Sequence, residues 1–226
     1  MSYWENDELE SVKQTQRAIT SRNGLSYQGG QRVEIVVPPN IKLFDGRKSY
    51  LNFDVKIALP AGQAPTRLTL DPKIGGQALI KNLRIYSNGG VGGGRTLLEE
   101  IVDYNVKVAL QYDYDSDDNM RKLRALKEGS MIDDPSNRGT LGTSVSQLTS
   151  TKINPYFQGQ TEDYTTAFDD TKMLTQKISI PLMCGIFADS MKAFPNEIVG
   201  GCLVEIDLEM PERVIKQLDS VNKNRR

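Results

Sequence analysis

Four carboxylates crowd into Tyr112-Asp113-Tyr114-Asp115-Ser116-Asp117-Asp118, and a cluster of hard oxygen donors is what a divalent cation requires. Asp113, Asp115 and Asp117 reproduce the alternation of the first half of an EF-hand loop. The second half departs from that pattern. Asp118 stands where the sharp turn needs glycine, and Arg124 stands where a bidentate glutamate would close the coordination shell. Two readings stay open: a weak cation site on Asp113, Asp115 and Asp117, or a solvated acidic loop in which Asp117 or Asp118 caps the next helix.

A second candidate is Gly89-Gly90-Val91-Gly92-Gly93-Gly94-Arg95-Thr96, which has the glycine spacing of a phosphate-cradling GxxxxGK[ST] loop and offers Thr96 as a Mg²⁺ ligand. Arg95 takes the lysine position, and a planar fork does not replace a point charge inserted among phosphates. The strands around it alternate polar and apolar residues, unlike the buried parallel strands of a doubly wound nucleotide-binding fold. The expectation is a flexible glycine connection without ATP or GTP affinity. Glu205 and Asp207 share one face of a strand, opposite an apolar set, which describes the outer face of a sandwich and not a catalytic pair.

The chain contains no histidine, so Ser-His-Asp and Cys-His catalysis and imidazole metal sites are excluded. Cys184 and Cys202 lack CxxC spacing and read as reduced, buried thiols of a reducing compartment, with a single disulfide between them as the alternative. No catalytic residue, metal or cofactor is assigned, and the chain is not expected to be an enzyme. With 28 Lys plus Arg against 29 Asp plus Glu in 226 residues, net charge −1, it is not built to coat nucleic acid along a whole face. The start has no apolar secretory region and no run is long enough to span a bilayer, so neither secretion by that route nor a membrane span is expected.

The elements that must carry any function come in three parts. Residues 1–30 read as an N-terminal arm, mixed in charge and poor in aliphatics. Tyr3 and Trp4 would anchor it on a neighbouring subunit, with Arg17 and Arg22 as further assembly contacts. Residues 31–212 form the main domain. Residues 213–226 form a basic tail in which Lys223, Arg225 and Arg226 are candidates for contact with nucleic acid or an acidic neighbour.

Within the domain, residues 33–37, 50–59, 67–70, 82–86, 176–182 and 202–208 alternate or run apolar between Pro, Gly and Asn breakers, as half-buried antiparallel strands do. The clearest is residues 50–59, with Leu51, Phe53, Val55, Ile57 and Leu59 on one face and Asn52, Asp54 and Lys56 on the other. Residues 96–112 read as a helix through Leu97, Leu98, Ile101, Tyr104, Val108 and Tyr112, with Glu99, Glu100 and Asp103 in its first turns. A shorter helix is expected over 118–127, stopped by Gly129, followed by a long polar loop over 131–175. The fold class is mainly β: a jelly-roll antiparallel β-sandwich with one or two inserted helices.

Three stretches carry a family likeness: Gly46-Arg47-Lys48-Ser49-Tyr50-Leu51-Asn52-Phe53-Asp54-Val55, Leu79-Ile80-Lys81-Asn82-Leu83-Arg84-Ile85-Tyr86-Ser87-Asn88-Gly89 and Leu98-Glu99-Glu100-Ile101-Val102-Asp103-Tyr104-Asn105. With residues 180–187 and 200–208 as closing strands, the chain resembles the first jelly roll of double-jelly-roll viral major capsid proteins, such as those of virophages and Polinton-like viruses. The resemblance implies a structural protein of a DNA virus that assembles in the host cytoplasm or nucleus and resides in the virion. It also implies copies of itself as partners, in a trimer, pentamer or hexamer of an icosahedral shell, with minor capsid proteins beside them. The chain holds strands for one roll only, so the resemblance implies a single-jelly-roll capsid protein or half of a longer one. The competing expectation is a virion spike or lectin-like β-sandwich that binds glycan or receptor; its sole tryptophan, Trp4, lies in the arm and so not on a sugar-stacking face.

Overall fold

The computed structural model describes residues 15–57, 67–71, 73–89, 94–115, 124, 127–130, 174–188 and 193–218. These residues are mainly β, in antiparallel sheets with few helices. The strands are β1 (Arg32–Val37), β2 (Leu51–Ile57), β3 (Arg67–Thr69), β4 (Ile80–Ser87), β5 (Leu97–Ile101), β6 (Leu174–Ile180), β7 (Cys202–Leu208) and β8 (Lys216–Leu218). The helices described over their whole length are α1 (Tyr104–Asp115) and two single turns, α2 (Gly185–Ala188) and α3 (Pro211–Val214). No helix among the described residues is long and apolar enough to cross a membrane.

One sheet has the order β1-β7-β4-β5, while β2 pairs with β6 and β3 with β8. Every pairing is antiparallel. The register lines up Ile35, Val204 and Ile85 in one cross-strand row and Val33, Ile206 and Leu83 in another. Both rows face the core, where Leu83, Ile85, Val204 and Ile206 are buried. In β2 the period of two is plain: Leu51, Phe53 and Val55 are half-buried, whereas Asn52, Asp54 and Lys56 are exposed. Ile178 and Ile180 of β6 join the same core as the inner face of the four-stranded sheet.

The helix expected over 96–112 divides in two. Residues 97–101 form β5, whose Glu99 and Ile101 stand opposite Ile85 and Leu83 of β4. A short apolar run satisfies helix and strand templates alike, and here the long-range pairing with β4 decides. Asp103, in a left-handed conformation (φ 51°), turns the chain, and its carbonyl accepts the amides of Val106 and Lys107 to start α1. Glu99 and Glu100 therefore do not lie in the first turn of α1. Glu99 instead accepts the amides of Gly185 (2.7 Å) and Ile186 (3.1 Å) at the start of α2, and Glu100 binds Arg84 at 2.7 Å.

Of the second expected helix, Arg124, Lys127 and Glu128 are helical and Gly129 follows with φ 69°; the other residues of 118–126 and the loop over 131–173 lie outside the described residues. Beyond residue 212 the chain remains in the fold as α3, with Val214 buried, and then as β8.

Candidate assembly surface

Helix α1 carries two apolar stripes. Tyr104, Val108 and Tyr112 are spaced by four and buried against the sheet. Val106, Leu110 and Tyr114 are also spaced by four, but two positions along, which rotates them about 200° to the opposite side. They are 56%, 55% and 86% exposed, and Val102 extends the stripe from just before the helix. The first stripe makes the core. The second faces solvent.

Leu97 and Leu98 of the neighbouring β5 are exposed too. Strand β5 is an end strand of its sheet, and no strand among the described residues pairs with its outer side. The opposite edge is managed differently: Ser21 bridges Ile35, the Arg22 amide donates to the Glu34 carbonyl, and the Asn23 side chain donates to the Arg32 carbonyl while accepting the Glu34 amide. The arm thus covers the β1 edge, whereas among the described residues nothing pairs with the outer side of β5. Such edges and patches mark surfaces that bind other chains.

The outer face of the four-stranded sheet is occupied by charge. Asp207 accepts Arg32 Nε (2.7 Å), Arg84 Nη1 (2.8 Å) and Asn82 Nδ2 (3.3 Å). Burial alone would raise the Asp207 carboxyl, but these hydrogen bonds outweigh it and hold the group below its ordinary range. Glu205, nearly buried, lies between Arg32 and Arg95, and the Arg95 guanidinium also covers the Tyr86 ring at 4.3 Å. Arg95 is therefore committed to the sheet. The glycine run leads into β5 and not into a helix N-terminus, so the helix dipole that a phosphate-cradling loop exploits does not follow it.

Beneath α1 lies a buried polar chain. Gln77, in the 3-10 turn Gly76–Leu79, donates to the Pro181 carbonyl (2.8 Å) and accepts the Tyr104 hydroxyl (2.9 Å), which itself accepts the Met183 amide (2.7 Å). Gln77 Nε2 also reaches the Tyr112 hydroxyl at 3.4 Å, and that hydroxyl donates to Glu128 Oε2 at 2.7 Å. Burial raises both phenols, Tyr112 further through the adjacent Glu128 charge, and pushes the Glu128 carboxyl up to about 7. Gln77 and Glu128 were not singled out from the sequence, where each reads as an ordinary polar residue; only the tertiary packing buries them.

The residues singled out earlier do not converge on one pocket. Tyr3, Trp4, Lys223, Arg225 and Arg226 lie outside the described residues. Arg17 is exposed, and Arg22 pairs with Glu34 of its own chain at 2.6 Å. Asp113 belongs to α1, pairs with Lys73 at 2.5 Å, and is separated by two helical positions from Asp115, so the expected loop does not begin at Asp113. Asp117 lies outside the described residues, among which no three acidic or thiol groups gather to hold a metal. An open depression of about 360 Å³ is lined by Asn23, Ser26, Tyr27, Gln31 and Arg32, where the arm meets the start of β1. Its one cation, Arg32, is already held by Asp207 and Glu205. The signal for the outward stripe was present as the i, i+4 spacing of residues 102, 106, 110 and 114, masked by the second stripe on the same helix.

No protein-family model matches the chain, and no curated protein matches it.

Proposed function

We propose that the chain is a structural virion subunit: a jelly-roll β-sandwich that assembles with copies of itself into a closed shell around DNA and performs no reaction. The observation that carries this reading is the nesting of two strand pairs, β1 with β7 around β2 with β6; β3 with β8 lies outside that nest. The first strand pairs with β7 and the second with β6, both antiparallel, and β4 follows β7 in the sheet. Two nested antiparallel pairs are what a long ribbon folded over on itself would give, and this supports the jelly-roll reading.

The outward stripe of α1 and the β5 edge, which no described strand covers, supply a reason to assemble. Fully covering a valine or leucine side chain is worth roughly 1.5–3 kcal/mol, so burial of Val106, Leu110 and their neighbours by another copy favours contact. In this reading the arm, through Tyr3, Trp4, Arg17 and Arg22, adds a second contact, and Lys223, Arg225 and Arg226 meet the nucleic acid or a neighbouring acidic surface.

Negative-stain microscopy of the purified 226-residue chain tests the proposal. Regular capsomers or shells are expected. A uniform population of monomers at every concentration would overturn it.

A further inference from the structure

We propose that Glu128 is a proton-operated latch, which in its protonated form holds residues 127–130 against the Gly75–Gly76 backbone and in its ionised form loosens them. The inference does not depend on assembly. Glu128 is 1% exposed, and among the described residues its carboxyl accepts the Tyr112 hydroxyl. A neutral carboxyl tolerates that setting, whereas an ionised one loses its hydration.

The fit around it is close. Gly75 is left-handed (φ 52°), and a Cβ there would stand 2.2 Å from the Glu128 carbonyl oxygen and 2.7 Å from the Ser130 amide nitrogen. The latch therefore acts on a segment that touches the core through backbone and side chain together. Among the described residues, the titratable and charged groups that face Glu128 are Tyr112 of α1 and Arg124 of its own helical turn, with Tyr104 further along the polar chain and Cys184 beyond it, near Tyr104. Lys127 points elsewhere, 5.4 Å from the Tyr50 ring. Burial is the largest influence on Glu128; the Tyr112 hydrogen bond and the Arg124 charge oppose it, and the group still rests at about 7.

The sign follows from linkage. A carboxyl whose proton is held more tightly in the closed state stabilises that state fully at low pH and loses the contribution as pH rises from about 4.5 towards 7. Hydrogen exchange at the amides of residues 128–130, expressed as protection factors, reads the opening directly. Protection in the wild-type protein is expected to fall about a hundredfold between roughly pH 5 and pH 8. Glu128→Gln keeps an acceptor for Tyr112 and removes the ionisation, so its profile should be flat. Tyr112→Phe removes the donor that favours the carboxylate and should move the midpoint upward. The side-chain carboxyl ¹³C shift of wild-type Glu128 gives the same titration without any substitution. A flat wild-type profile, an unchanged slope in Glu128→Gln, or a ¹³C midpoint at the ordinary glutamate value would overturn the proposal.

Discussion

Tyr104 and Val106 stand two positions apart on α1 and look in opposite directions, the first fully buried over Gln77 and the second 56% exposed. The helix thus has one face for the core and another that nothing among the described residues covers. Substitution should separate the two. Val108→Ala, in the buried stripe, is expected to cost about 2 kcal/mol through lost contacts and a residual cavity. Val106→Ala should change the stability of the monomer by no more than about 0.5 kcal/mol. Urea denaturation of each variant supplies the comparison.

Gly75 is the position where backbone conformation and close approach coincide. Gly75→Ala would force a Cβ into the Glu128 carbonyl from a left-handed backbone, so the loss should be on the order of 3 kcal/mol. A shift of less than about 1 kcal/mol in the same denaturation assay would mean that residues 127–130 are not seated there.

Asp207 should give the outer sheet face an acid-sensitive stability. Its carboxyl is held below the ordinary value by Arg32, Arg84 and Asn82, against the opposing effect of burial. Folded-state depression means that the contribution is present above the unfolded value and disappears as pH falls through the folded one. Asp207→Asn should therefore be destabilised by about 1–2 kcal/mol at neutral pH, with the gap from wild type closing in acid. Thermal denaturation of both proteins across an acid series checks this; a gap that widens in acid would contradict the assignment.

Burial pushes the Cys184 thiol up to about 12, with the Glu99 charge adding to the effect, and the Cys202 thiol up to about 11. Because the thiolate is the reactive form, both should resist alkylation in the folded protein at neutral pH and react on unfolding. Mass spectrometry after iodoacetamide treatment, with and without denaturant, will show whether either residue is labelled natively.

The strands were legible because their period is short and local: Leu51, Phe53 and Val55 against Asn52, Asp54 and Lys56 need no partner to be read. Residues 97–101 were not, since two leucines followed by two acids suit either period until β4 lies alongside. Strand β8, three residues long, is defined by its pairing with β3 and has little pattern of its own. Of the candidate surface, the buried stripe of α1 was visible and the outward one was not. A helix that satisfies an amphipathic template with Tyr104, Val108 and Tyr112 gives no prompt to look for a second set. Glu128 is the extreme case, because its burial and its Tyr112 partner come from residues distant in sequence.

Self-assembly through the outward face of α1 is tested most directly by sedimentation velocity. Wild-type protein should sediment as oligomers or larger assemblies. A Val106→Asp, Leu110→Asp double variant should sediment as a folded monomer with the wild-type circular dichroism spectrum, since both side chains already face solvent. A wild-type chain that stays monomeric as concentration rises, or a double variant that assembles as the wild type does, would contradict it.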